Sequence, residues 1–199
     1  MRLYSYKVAR DFGFAPNPFY GLCTLATCKP NIRKAAQVGD WVVGTGSKPN
    51  GLEGRLVFAM EVSETLGFDE FWRDHRFRHK QPNLHGSRMQ AYGDNIYHRD
   101  AGGGWLQEDS HHSLKDGSPN PENIKHDTKI DRLLVSDDFT YWGAGGPEIP
   151  SRFRDWDGVD VCAGRGHRCV FPTDLVGAFI AWIRTVWGPG CIGRPVEWR

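Results

Sequence analysis

Short apolar runs and strict alternation dominate the chain, and they predict strands more often than helices. Residues 3–9 alternate, with Tyr4, Tyr6 and Val8 on the apolar side of a half-buried first strand. Residues 21–28 read as a second strand running into Lys29 and Pro30, after which residues 32–37 make a short helix or turn. Residues 40–44 and 55–62 are two β-favouring runs expected to pair antiparallel. Between them stand Gly44, Thr45, Gly46 and Ser47, then the turn formers Lys48, Pro49, Asn50 and Gly51. A further strand is predicted over 130–136. Helical signals are sparse. A turn starts at Phe68, with Ser63 or Asp69 as N-cap, and residues 174–187 form the main helix, apolar nearly all round and capped by Thr173 or Asp174. The five strands are expected to make most of one strongly bent, mixed or antiparallel sheet, with helices packed outside it, in the α+β class.

Composition narrows this picture. With 199 residues, 39% apolar and 13% aromatic, the chain suits one sizeable core, so a single domain over 1–199 is expected. The 24 glycines and 12 prolines favour a β-rich fold with long ordered loops. Basic and acidic residues nearly balance (25 against 24), which excludes bulk coating of nucleic acid; any polyanion contact must be local. No apolar run approaches membrane-spanning length and the N-terminus does not read as a signal peptide, so a cytoplasmic protein with no membrane partner is expected. The five cysteines, at 23, 28, 162, 169 and 191, form no CxxC pair. They are expected to be reduced thiols, with no disulfide between Cys23 and Cys28, no zinc and no cofactor.

Candidate chemistry is scattered, and each piece has a structural alternative. The glycines at 44 and 46 either satisfy hairpin geometry or let a ligand approach, with Thr45 and Ser47 offering hydroxyls. Residues 11–19 carry three phenylalanines, two prolines and Asn17, and must pack or hold something. Residues 73–88 form a basic strip, opposed within it by Asp74, in which Arg76, Arg78 and Lys80 are candidates for phosphate contact; the alternative is a solvated loop. Asn95, His111, His112 and Ser113 belong to a crowded polar stretch continued by Asn120, Asn123 and Asp127. Read as a strand, the adjacent histidines face opposite sides and do not chelate one metal. Cys23 is either an inert buried thiol or a nucleophile, with Thr24 beside it. Tyr141 and Trp142, flanked by Gly143, either stack on a base or pack in the core. Arg165 and His167 lie among glycines and suit an anion or a base edge, or else a tight loop.

Four phrases, GFAPNPFYGLCTLATCKPNIR, VGDWVVGTGS, GDNIYH to DSHHS, and FTYWG with AGRGHR, resemble the second family of nucleotide-modification-associated domains over nearly the whole chain. The resemblance implies a bacterial or phage context of modified DNA nucleotides, with DNA-modification or defence proteins as possible partners, and supplies no reaction. More distantly, GDWVVGTGS followed by GRLVFAMEV resembles the PUA-like superfamily of EVE, ASCH and YTH domains. That likeness implies a small twisted β-barrel with helices outside and a pocket for a single base. Both binders and enzymes occur among such relatives.

Two readings follow. In the first, a non-catalytic reader of a modified nucleobase or nucleotide stacks it on Tyr141 or Trp142 and bonds its edges through Asn17, Thr24, Thr45, Ser47 or Asn95. Arg78, Arg165 and His167 then lie near phosphate or a polar edge. In the second, an enzyme acts on a nucleotide or modified base, with His112 as general base and Cys23 or Ser113 as nucleophile. A protein-interaction module ranks third.

Overall fold

The alternating first run folds as β1 (Leu3–Lys7), but both of its faces are covered, since Leu3, Tyr4, Ser5 and Tyr6 are all buried. The computed structural model describes residues 1–164 and 166–198. Their contacts divide into two units, one of Met1–Phe12, Ala36–Ser63 and the chain from Ser136 onward, the other of Gly13–Ala35 and Glu64–Val135.

In the first unit β1 lies inside a six-stranded sheet. Its other strands are β3 (Trp41–Thr45), β4 (Leu56–Glu61), β9 (Asp138–Tyr141), β10 (His167–Arg168) and β11 (Gly190–Cys191), in the order β10-β1-β3-β4-β9-β11. The sheet is mixed: β1 runs parallel to β3 and β11 to β9, whereas β3 and β4 pair antiparallel, as their flanking turn residues predict. It ends in two-residue edge strands and does not close, so the expected barrel is corrected to an open sheet within an α+β fold. The β3–β4 glycines answer to packing. A Cβ at Gly44 would run into the Phe58 ring and Val8, and one at Gly46 into Leu52, so the chain itself fills the space that a ligand would need.

One face of the sheet supplies Leu3, Trp41, Val43, Leu56 and Ala59 to a core completed by Leu175, Val176, Phe179 and Ile183 of α6 (Thr173–Thr185) and by Phe153 of α5 (Ser151–Arg154). The helix caps on Pro172 rather than on Thr173 or Asp174; the Asp174 carboxylate instead accepts from Leu175 N and from the Trp156 indole.

In the second unit β2 (Cys23–Leu25), β8 (Leu133–Ser136) and β5 (Glu64–Leu66) form a separate three-stranded sheet, ordered β2-β8-β5. The runs 21–28 and 130–136 therefore do not join the large sheet, and only three or four residues of each are extended. The chain enters β2 from Gly21 at φ +81° and leaves extended geometry by Cys28, at φ +57°. The unit also holds short helices α1 (Pro30–Ala35), α2 (Phe68–Arg73), α3 (Arg88–Ala91) and α4 (Pro121–Thr128) and a hairpin of β6 (Tyr97–Arg99) and β7 (Trp105–Gln107), with α2 against β6 and α4 against β7. Neither expected cap of α2 is used. Gly67 occupies the position, and Phe68 N–H donates to Asp131 Oδ1, a carboxylate 63 residues away. No helix among the described residues is long and apolar enough to cross a membrane.

Candidate functional site

Cys28 and Lys29 both adopt positive φ, at +57° and +40°, in the tight turn between β2 and α1. Left-handed backbone disfavours Cβ-bearing residues, so two in succession need external restraint. Two groups hold Cys28. Its N–H donates to Asp127 Oδ1 at 2.8 Å, and its carbonyl accepts from Arg33 Nε at 2.9 Å. Arg33 is fully buried and also donates to the carbonyls of Asp127, Ile130 and Arg132. One guanidinium thus ties the turn bearing Cys28 to the segment that follows α4.

The half-buried Cys28 faces His112, with Sγ 3.8 Å from Nε2. The other ring nitrogen, Nδ1, lies 2.9 Å from Asp127 Oδ2. Asp127 is fully buried and accepts from Tyr97 Oη at 3.0 Å, while His126 Nδ1 stands 3.1 Å from its Oδ1. Gln107 Nε2 donates to Tyr97 Oη, and both Gln107 and Asn123 donate to the His112 carbonyl. Phe14 packs against the imidazole at 4.6 Å between ring centres, so the phenylalanine-rich loop covers the histidine. The order sulfur, imidazole, carboxylate is that of a nucleophile, its base and the acid that orients the base.

Electrostatics support the same order. Burial works against a charged His112, but the bonds to Asp127 and Cys28 outweigh it and raise its pKa to about 9. Burial likewise works against a charged Asp127, and the bonds from His112, His126 and the Cys28 backbone hold its pKa below the ordinary carboxylate value. Burial, with Asp127 beside it, pushes the Tyr97 phenol well up, so it stays a donor. A protonated His112 ring therefore faces the Cys28 sulfur on one side and the Asp127 carboxylate on the other.

The family model described as nucleotide modification associated domain 2 matches residues 1–199. The chain belongs to that family. No curated protein and no solved structure matches it. Within this family member, His112 is the one predicted catalytic residue that the triad contains. Cys23, the expected nucleophile, is fully buried in β2, and the sulfur facing His112 is that of Cys28. Ser113 Oγ instead accepts from Ser110 N and donates to the Glu108 carbonyl, bracing a turn. His111 and His112 lie in that turn rather than in a strand, and among the described residues no group of three or more His, Cys, Asp or Glu side chains is placed to hold a metal ion. All described cysteines are free thiols.

The expected ligand-binding residues of the family member divide between the two units, Thr45, Ser47, Tyr141, Trp142 and His167 in the first and Asn17, Thr24 and Asn95 in the second. Tyr141 is fully buried and its hydroxyl donates to Asp11 Oδ1 at 2.6 Å, while Trp142 belongs to the core under α6; neither presents a ring face to a base. Thr45 and Ser47 are buried, and their hydroxyls donate to the carbonyls of Tyr6 and Ala9. Asn95 is buried and donates to the Phe71 carbonyl at 2.9 Å. His167 sits half-buried in β10, paired with Tyr6, and Arg165 lies outside the described residues. The basic strip is largely spent. Arg76 bonds to both Glu64 and Asp74, and Lys80 is buried, donating to the Asn17 carbonyl and to Asn17 Oδ1; Arg78 stays exposed. Thr24 donates to the buried Asp94 at 2.6 Å. Asn17, Thr24, Lys80 and Asp94 thus make a buried polar cluster in place of a ligand surface.

Sequence reading missed Cys28, Asp127, Tyr97 and Arg33 as a set. The available signal was a cysteine directly before Lys29 and the helix-starting Pro30, a point where the chain must turn sharply.

Proposed function

We propose that this chain is a cysteine-dependent enzyme acting on a nucleotide or a modified base. Cys28 is the nucleophile, His112 the general acid and base, and Asp127 the group that fixes the imidazole. The observation that carries the reading is the line from Cys28 Sγ through the His112 ring to Asp127, with steps of 3.8 and 2.9 Å. The substrate class rests on the family's description alone. A non-catalytic reader becomes the weaker alternative, because the rings meant to stack on its base are core residues. A PUA-like origin of the large sheet belongs to the same proposal, supported by the tight small-residue turn between β3 and β4, and the family match over the whole chain supports treating both units as one functional domain.

The test is competitive alkylation by iodoacetamide with peptide mapping. Cys28 is expected to react ahead of the exposed Cys169 and Cys191, and to lose that lead in His112→Ala. Preferential labelling of the two exposed thiols, with Cys28 indifferent to His112, would refute the assignment.

A further inference from the structure

We propose that the bond cleaved at this site is an acyl bond, an amide or ester carried by a nucleotide or its modified base, and that it is broken through a thioester on Cys28. The inference rests on the reading of Cys28 as nucleophile and names the electrophile.

A cysteine nucleophile acting on nucleotides has three main targets: phosphorus, a ring carbon of the base, or an acyl carbon. Phosphoryl transfer needs fixed cations around the equatorial oxygens. The guanidinium beside Cys28, that of Arg33, is buried and occupied by four backbone carbonyls. Addition to a base ring needs separate acids and bases spread around a planar substrate, at the atom attacked and at the atoms that take up charge. Here the titratable side chains converge instead: His112, His126 and Tyr97 all meet the one Asp127 carboxylate.

Acyl transfer asks for a single group beside the sulfur that serves twice, and Nε2 of His112 is that group. In the first half, Cys28 Sγ bonds to the acyl carbon and the carbonyl electrons move to oxygen. Their return breaks the carbon–nitrogen or carbon–oxygen bond, and the leaving amine or alcohol takes the proton from Nε2. In the second half, water attacks the thioester carbon and gives its proton to Nε2. The carbon–sulfur bond breaks, and the products are a carboxylic acid and the restored sulfur–imidazolium pair. Water is the sole co-reactant. A histidine kept protonated to about pH 9 suits the first half, where a basic amine must be protonated as it leaves.

The probe is p-nitrophenyl acetate, followed by p-nitrophenolate release, intact mass and peptide mapping, with iodoacetamide labelling run in parallel. The expected result is a stoichiometric burst and a Cys28 acetyl adduct that hydroxylamine removes. Both should vanish in Cys28→Ala and persist when Cys169 and Cys191 are replaced by Ala. Deacylation should slow by about a hundredfold or more in His112→Gln, a variant checked for folding by circular dichroism. If Cys28 is alkylated in a His112-dependent way but yields neither burst nor adduct, the acyl assignment is overturned while the nucleophile stands. If iodoacetamide also finds Cys28 indifferent to His112, both readings fall.

Discussion

Cys28 is held where a glycine would be more comfortable. Its φ of +57° costs a Cβ-bearing residue about 1–2 kcal/mol, and the bonds from its N–H to Asp127 and from Arg33 to its carbonyl offset that cost. A comparison of Cys28→Gly with Cys28→Ala isolates the backbone from the side chain. Both variants should lose the thiol chemistry, and in urea denaturation the glycine variant should be the more stable by about 1 kcal/mol. Equal stabilities would mean the turn carries no such strain. His112 gives a second residue-scale prediction. Because its folded pKa is raised to about 9 from the ordinary value near 6.5, it contributes stability that is fully present below the unfolded value and is lost as pH rises through the folded one. Denaturation midpoints should therefore fall between about pH 6 and about pH 10. His112→Ala should remove much of that fall, and an unchanged profile would show that the ring gains no charge on folding.

At the scale of elements, the basic run over 73–88 suits either a phosphate-contacting strip or a solvated loop, and its lysine is interior. Lys80 is 1% exposed and bonded to Asn17, near the buried Asp94, whose pKa burial pushes up to about 6. Removing one partner of a buried charged cluster leaves the other uncompensated, so Lys80→Ala should cost about 3–5 kcal/mol of folding stability. Arg78→Ala, on the exposed side, should stay within about 0.5 kcal/mol. Chemical denaturation of the two variants distinguishes a cluster that holds loops together from a strip that meets phosphate. The same contrast marks what was legible beforehand. The pairing of β3 with β4 and the long helix α6 follow from local periodicity and turn residues, and both stand close to their expected positions. The split of β2 and β8 into their own sheet, the bond from the Phe68 N–H at the start of α2 to Asp131 and the meeting of Cys28 with His112 depend on contacts across tens of residues, 84 in the last case. No window of sequence encodes such distances. His112 could be singled out because a histidine in a crowded polar loop is conspicuous on its own. Cys28 could not, because what distinguishes it from Cys23 is burial and a carboxylate brought in from α4.

For the whole molecule, the balance of charge decides how it meets nucleic acid. The chain carries a net +1, and of its 17 arginines these four are already answered by carboxylates: Arg76 by Glu64 and Asp74, Arg99 by Asp131, Arg154 by Asp160, and Arg184 by Glu61 and Asp138. Exposed pairs of this kind add little stability, but each takes up a cation that would otherwise release counterions from a phosphate backbone. An enzyme that recognises one modified nucleotide has no need of such a backbone footprint, whereas a reader that grips duplex DNA does. Binding to unmodified duplex should therefore be weak, and the slope of log affinity against log salt should correspond to fewer than about three phosphate contacts. Fluorescence anisotropy over a salt series measures that slope directly. A slope equivalent to about six contacts or more would reveal a phosphate-binding face that the ion pairs leave open, and would return the advantage to the reader of modified DNA. A shallow slope, together with acylation of Cys28 by a small ester, would place the specificity of this molecule in the few side chains around the triad rather than in its surface charge.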